Sequence, residues 1–470
     1  MSLLSSSKRL VPWKLTASRR CLVIASLQIA FLLAYLAIHL FFLSRTSLQR
    51  LSSWEVASAR VSSFCPDIHL SRETSAESFP WILQRNLSLP QNQLSSMLLR
   101  RNSLPPCNLD LFPVLPVDHL VIVLYVHNRP AYLKVAVQGL SKVIGISEAL
   151  LIISHDGFFP EMNAIVEGIR FCQVKQIFAP FSPHIFPHEF PGVSSDDCVK
   201  KDDQNCKGDP DQYGNYRAPH IISLKHHWWW MMNTVWDGLP ETRNYHDHIL
   251  FVEEDHFLFP NALLNICTLS ALKACACPAC YMANLAPADV NFKGERTEIL
   301  VADKIGNMGY AFNRTIWKKI HMYAEQFCNF DDYNWDITMW VAVYPEWGSA
   351  TYSLRGPRQS AVHFGKCGLH QGKREGQPPC FDEGGQLPPV EEEDKVYNIN
   401  PNWVVRHSFI KGYDRGFKGW GGWSDTRDKN LCLDFASICI LIKVSIYPDK
   451  WVDQMCTPSV QCDFGQKALG

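Results

Sequence analysis

His119-Leu-Val-Ile-Val-Leu-Tyr-Val126 is an almost unbroken apolar run of strand length, and Asn128-Arg129-Pro130 closes it. A strand with one wet face alternates polar and apolar side chains, whereas one that does not alternate has both faces covered. The stretch from Ala131 to about Val143 then reads as a helix. Two further runs repeat the pattern: Ala149-Leu-Leu-Ile-Ile-Ser154, ending at His155-Asp156-Gly157, and Val174 to Phe178, which follows a helix-like segment from Glu161 to Arg170. Strands alternating with helices predict an α/β fold, Rossmann-like, with a largely parallel central sheet. Ligands of such open sheets bind beyond the carboxyl ends of the strands, where Asn128-Arg129 and His155-Asp156 fall. No G-x-G-x-x-G or P-loop follows any of these strands, so a bound nucleotide needs another device for its phosphates.

That device is offered by His248-Ile-Leu-Phe-Val-Glu-Glu-Asp-His256, an apolar strand running into the carboxylates Glu253, Glu254 and Asp255. Hard divalent cations take oxygen ligands and bridge a carboxylate to diphosphate oxygens. The plain alternative is a solvated turn at a strand end. Phe330-Asp-Asp-Tyr-Asn-Trp-Asp336 is a second cluster, ahead of the amphipathic segment Ile337 to Val343. An ordinary helix N-terminus accounts for some of its acids, since carboxylates favour that end of the dipole, but not for the aromatics among them. Asp336 beside Trp335 suits a general base facing a sugar ring. In Ala361-Val-His363-Phe-Gly-Lys-Cys367 an imidazole enters a loop, as a transition-metal ligand or as a hydrogen-bonded loop histidine. Lys225-His-His-Trp-Trp-Trp230 packs imidazoles and indoles more densely than a simple core helix needs, and Lys225 or a histidine could turn toward phosphate. A zinc site around Cys275-Ala-Cys277-Pro-Ala-Cys280, or His246 and His248, lacks a second ligand pair at suitable spacing.

Further out, the run from Cys21 to Leu43 carries no charge and is long enough for the ~20 residues that cross a bilayer as a helix. Lys8, Arg9, Lys14, Arg19 and Arg20 precede it, which keeps the N-terminus cytosolic. A cleaved signal peptide is the alternative, but its apolar core is shorter. The expected organisation is a cytosolic tail over 1–20, an anchor over 21–43, a stem over 44–116 and one catalytic domain over 117–470. The 17 cysteines suit an oxidising lumen, where bridges form, and Asn86-Leu-Ser88 and Asn313-Arg-Thr315 are N-glycan sequons. With 47% hydrophobic residues the chain can bury a large core, and a net charge of -1 leaves nothing to attract nucleic acid.

Tyr125-Val-His-Asn-Arg-Pro130, Lys225-His-His-Trp-Trp-Trp230, Phe251-Val-Glu-Glu-Asp-His256 and Asp331-Asp-Tyr-Asn-Trp-Asp336, in this order, resemble the N-acetylglucosaminyltransferase II family over roughly Leu115 to Cys432. The loop around Gln377 and the tail after Phe435 look like local elaborations. The resemblance implies a GT-A-type fold and an inverting transfer of GlcNAc from UDP-GlcNAc, held by Mn2+, to O2 of the alpha-1,6-arm mannose of an N-glycan core. It implies Asp255 and His363 as metal ligands and Asp336 as the base. Tyr125, Val126, His127, Asn128, Arg129, Asp156, Ser223, Leu224, Lys225, His226 and His227 match positions lining the nucleotide-sugar site. Glu253 and Glu254 become supporting residues. It also implies bridges Cys198 to Cys206, Cys277 to Cys280, Cys328 to Cys432 and Cys367 to Cys380. Expected partners are the donor, a glycoprotein's N-glycan, the Golgi membrane with the catalytic domain lumenal, and a second copy of the chain in a homodimer. Competing readings are transfer to the alpha-1,3 arm, a non-catalytic lumenal glycan-binding protein and a metal-dependent hydrolase.

Overall fold

A computed structural model of the protein describes residues 91–116, 119–199, 205–285, 299–302, 305–348, 351–356, 360–365, 405–408 and 422–436. The anchor expected over 21–43, the sequon at Asn86, the loop around Gln377, the Cys367 to Cys380 bridge and the tail after Phe435 lie outside these residues. Among the described residues no helix is long and apolar enough to cross a membrane.

The run that opened the sequence reading is β1 (Val121–Val126), buried at every position. Its neighbours β2 (Leu150–His155) and β4 (Ile249–Glu253) pair with it in parallel, and β3 (Gln173–Phe178) pairs with β2 in parallel. Two-sided burial explains the missing alternation. Val121, Val123 and Tyr125 point into one core with Leu150, Ile152, Ile249 and Phe251. Ile122, Leu124 and Val126 point into the other with Leu151, Ile153, Leu250 and Val252. At about 1.5–3 kcal/mol for each large aliphatic side chain taken from water, a single polar substitution along β1 would be costly on either face.

The second core is capped by α2 (Pro130–Leu140), α3 (Pro160–Glu167) and, following the short β5 (His256–Leu258), α5 (Ala262–Ala276). The first core is capped by α4 (Pro219–Asn233), which is buried around almost its whole circumference. Proline opens α2, α3 and α4, where its missing N–H costs nothing because the first turn has no acceptor for it.

Beyond β4 the sheet becomes mixed. β8 (Tyr310–Phe312) runs antiparallel to both β4 and β6 (Cys280–Asn284). β9 (Tyr352–Arg355) lies parallel to β6, and β7 (Ile299–Ala302) lies antiparallel to β9. β11 (Val405–Ser408) completes a nine-stranded sheet of order β11-β7-β9-β6-β8-β4-β1-β2-β3. Separately, β10 (Ala361–His363) pairs antiparallel with β5, setting His363 opposite His256.

Three short helices cover the mixed half: α6 (Arg314–His321), α7 (Ala324–Asn329) and α8 (Trp335–Thr338). The amphipathic segment Ile337 to Val343 is the end of α8 continued by a π-helical turn, Met339–Val343. A C-terminal helix, α9 (Thr426–Phe435), packs on α4 and is bridged to α7 by Cys328–Cys432. Cys198–Cys206 and Cys277–Cys280 are also formed, the latter where a zinc cluster was the rival reading.

Residues expected as stem include a helix that packs on the sheet. From α1 (Gln91–Asn102), Leu94 and Leu98 pack against Phe178, Ile185 and Phe186. The Asn102 amide donates to Phe178 O at 2.9 Å and accepts from Phe178 N at 2.8 Å, so a side chain supplies the bonds a further strand would. Cys107 N donates to Val174 O at 2.7 Å along the same outer edge of β3.

Candidate active site

The carboxyl ends of β1, β2 and β4 lie side by side, and each delivers its chemistry in the turn that follows. From β4, Glu253 accepts the Tyr125 hydroxyl at 3.0 Å and Glu254 accepts the His127 backbone N–H at 2.8 Å. Arg129 bridges two of the acids, its Nε donating to Glu254 and its Nη1 to Asp255 Oδ2 at 3.0 Å. His363, 45% exposed and brought in by the β5–β10 ladder, places Nε2 at 3.3 Å from Asp255 Oδ2. Gly365 lies so close to Asp255 that a Cβ there would sit 2.9 Å from the carboxylate.

The three acids are not equivalent. Burial pushes Glu253 up to about 8, helped by the charge of Asp255. Burial also raises Glu254, against the opposing Arg129 guanidinium. For Asp255 burial is outweighed by the His363 hydrogen bond and by Arg129, which hold its carboxyl well below the usual range. The same hydrogen bond raises His363. His256, held neutral by burial at about 4, accepts from Glu253 N through Nδ1.

These residues fit a divalent cation. Asp255 Oδ1 is buried without a hydrogen-bond partner, an orphan that an ion would satisfy. Ligand atoms of Asp255, His256 and His363 lie within 4.8 Å of one another. A carboxylate oxygen beside imidazole nitrogens suits a divalent transition-metal cation.

A second cluster lies at the end of β2. His127 Nδ1 sits 3.0 Å from Asp156 Oδ2, and His184 Nε2 sits 3.5 Å from the same oxygen. Although burial opposes its ionisation, these contacts keep Asp156 far below the ordinary carboxylate range. Ser182 Oγ donates to Asp156 O at 2.6 Å. His227, lowered to about 3 by burial, shares a hydrogen bond with Ser154 Oγ at 2.8 Å and meets His127 edge-on.

Asp336 is the third component. Burial raises its carboxyl to about 6. Its Oδ1 accepts from Ile337 N at 2.8 Å and its Oδ2 from the Asn307 amide at 3.3 Å. Asn307, Tyr310, Trp228, Trp335 and Asp336 line one small cavity. The Trp228 indole donates to the Tyr310 hydroxyl at 2.8 Å, and Tyr310 in turn contacts Tyr125, the partner of Glu253. The Glu253–Tyr125–Tyr310 contacts lead from the acidic strand end to the cavity that Asp336 lines.

The matched residues divide accordingly. Tyr125, His127, Arg129, Asp156, His227, Asp255, His363 and Asp336 converge here. Asn128 is exposed at the rim, while Val126 is buried in the core with its carbonyl accepting from Asp156 N at 3.1 Å. Ser223 Oγ turns back to His220 O, Leu224 packs against the first core, Lys225 bonds the carbonyls of Phe330 and Asp332, and His226 bonds Asp428. Sequence reasoning missed Ser182, His184, Asn307 and Tyr310, which reach the site from loops and a strand whose local sequence carries no chemical signature. His256 stood inside a quoted motif without a role.

A family model described as N-acetylglucosaminyltransferase II (MGAT2) matches residues 97–432. The alpha-1,6-mannosyl-glycoprotein 2-beta-N-acetylglucosaminyltransferase of Arabidopsis thaliana is 61% identical over 351 residues, which cover 74% of this chain and 81% of that protein. The Homo sapiens protein of the same name is 31% identical over 377 residues, 74% of this chain and 82% of that one. Among solved structures, the galactosyltransferase LgtC in complex with donor and acceptor sugar analogues aligns with 44% of this chain and 64% of its own, at 14% identity and a TM-score of 0.23, a superposition too loose to argue from.

Proposed function

The chain belongs to the N-acetylglucosaminyltransferase II family, and from that premise we propose that it transfers GlcNAc from UDP-GlcNAc to O2 of the alpha-1,6-arm mannose of an N-glycan core. The product linkage is beta-1,2, with inversion at the anomeric carbon, on a GT-A-type domain. The observation that carries this reading is the pairing of a half-buried base with a cation-ready carboxylate. Asp336 at about 6 is ionised at neutral pH yet basic enough to accept a hydroxyl proton, and Asp255 Oδ1 lacks a partner in the same site.

Asp336 takes the proton from the mannose hydroxyl as its oxygen attacks the anomeric carbon. The bond to the diphosphate oxygen breaks, UDP departs, and Asp336 releases its proton to solvent. Asn307 and Ile337 N orient the carboxylate through its two oxygens. Trp335, stacked on Trp228 at 4.6 Å, gives the acceptor side a rigid aromatic wall. Asp156, held ionised by His127 and His184, offers an acceptor to the N–H and hydroxyl groups of a nucleoside. Asp255 and His363, with His256 beside them, would hold Mn2+, which when bound supplies positive charge against the diphosphate. Arg129 keeps Asp255 ionised and in place.

The charge-free run over 21–43 supports a type II anchor with the catalytic domain in the Golgi lumen, and the bridges at Cys198, Cys277 and Cys328 agree with an oxidising compartment. Product analysis tests the reading with purified protein, UDP-GlcNAc, manganese and a GlcNAc-Man3-GlcNAc2 acceptor. A new beta-1,2-linked GlcNAc on the alpha-1,6 arm is expected. Transfer only to the alpha-1,3 arm, or release of free GlcNAc without acceptor, would overturn it.

A further inference from the structure

Lys225 stands in a motif whose lysine invites a phosphate role, yet its ammonium is turned elsewhere. The side chain is fully buried. Nζ donates to Phe330 O and to Asp332 O, each at 2.9 Å. It also lies 4.3 Å from the Trp423 ring centroid and 5.0 Å from that of Phe327. An ammonium has three protons and no acceptor, and here two carbonyls and the aromatic faces receive them.

The two carbonyls belong to the turn that leads to Asp336. From the same turn, Asp332 Oδ1 accepts both the backbone and the side-chain N–H of Asn334 at 2.8 Å. Asn334 is the cap of α8, in which Asp336 is the second residue. Trp228, one turn along α4 from Lys225, stacks on Trp335 with planes 5° apart. A single rigid helix therefore grips the base-bearing segment twice, by its backbone at Lys225 and by its indole at Trp228. His227, between them, faces the Asp156 cluster instead.

We infer that Lys225 is a positioning residue for the base: it holds the Phe330–Asp332 turn against α4 so that Asp336 meets the acceptor hydroxyl, and it does not bind donor phosphate. A buried ammonium is a costly way to fill a core, and burial pulls Lys225 well below the ordinary lysine range. Phe330 O also accepts Asp332 N at 2.9 Å and Asp332 O the Thr338 hydroxyl at 3.4 Å, bonds made within the segment itself, so what Lys225 adds is the tie from this turn to α4. A displacement of about 1 Å at a catalytic group can cost on the order of a hundredfold in rate.

The inference rests on the transferase reading, so unmutated turnover on the GlcNAc-Man3-GlcNAc2 acceptor is measured first, and its absence would sink both. With turnover established, Lys225→Met, which keeps the stem and loses the ammonium, should lower kcat roughly tenfold or more per folded molecule. Donor KM and the Kd of UDP by calorimetry should stay within about twofold. An unchanged kcat, or a loss confined to donor KM, would overturn the inference while leaving the transferase reading intact. Should Lys225→Met fail to fold, the unmutated enzyme decides. Under native reductive methylation mapped by mass spectrometry, Lys225 should stay unmodified with or without manganese and UDP-GlcNAc. Methylation in the free enzyme that the donor suppresses would place the ammonium in the donor pocket and reject the inference.

Discussion

Asp336 differs from an ordinary aspartate in the water taken from around it and in the charge of Asp332 nearby, and two measurable consequences follow. Transfer requires the ionised form, so kcat should fall as pH drops through about 6. Because the folded protein holds that proton more tightly than an unfolded chain with a value near 3.8, folding stability should decline as pH rises from that value to about 6. Asp336→Asn should therefore abolish transfer, raise Tm at pH 7 by a few degrees and leave UDP-GlcNAc binding intact. Wild-type turnover in that variant would remove Asp336 as the base. At this scale the sequence was informative where chemistry is concentrated in consecutive residues. Glu253 to Asp255 announced a polar strand end, and Trp335-Asp336 a carboxylate beside an indole. It was silent on Asn307, which lies 29 residues from the carboxylate it touches, and on His184, which reaches Asp156 across 28 positions. Long-range partners leave no local pattern.

Elements were legible in proportion to how one-sided their constraint was. The parallel strands could be read because burial on both faces forbids polar residues, and the prolines of α2, α3 and α4 mark helix starts. The helix Pro219–Asn233 could not be oriented in advance. A stripe of apolar residues tells a face only when the opposite face is wet, and this helix has no wet face. That is why the sequence did not tell that Lys225 turns to Phe330 O and Asp332 O, and His226 to Asp428. The mixed half of the sheet was missed as well, since three- and four-residue strands are too short to show a period. What secures that half is α9, through Arg217 on Asp428 at 2.8 Å, the Trp229 indole on Cys432 O at 2.9 Å and the Cys328–Cys432 bridge. The bridge spans 104 residues, so replacing both cysteines by serine should cost about 2–5 kcal/mol in denaturant unfolding. A loss under about 1 kcal/mol would mean that the ion pairs and packing hold α9 unaided.

Over the whole molecule, the α/β class and the membership of one large domain follow from strand order and from matches along the chain, but the expected border at 117 passes through packed structure. A chain beginning at 117 loses Leu94, Leu98 and Asn102 from β3, and should melt at lower temperature than one beginning at 91. Equal melting temperatures would show that α1 is a passive attachment.

The docking of α1 also bears on where the chain can be cut. The outer rim of β3 is a row of peptide groups, and Asn102 and Cys107 cover it. An open rim recruits other chains into aggregates. A cut upstream of Gln91 would leave this rim covered, whereas a cut a little further along would open it and leave a protein ready to stick to its own kind.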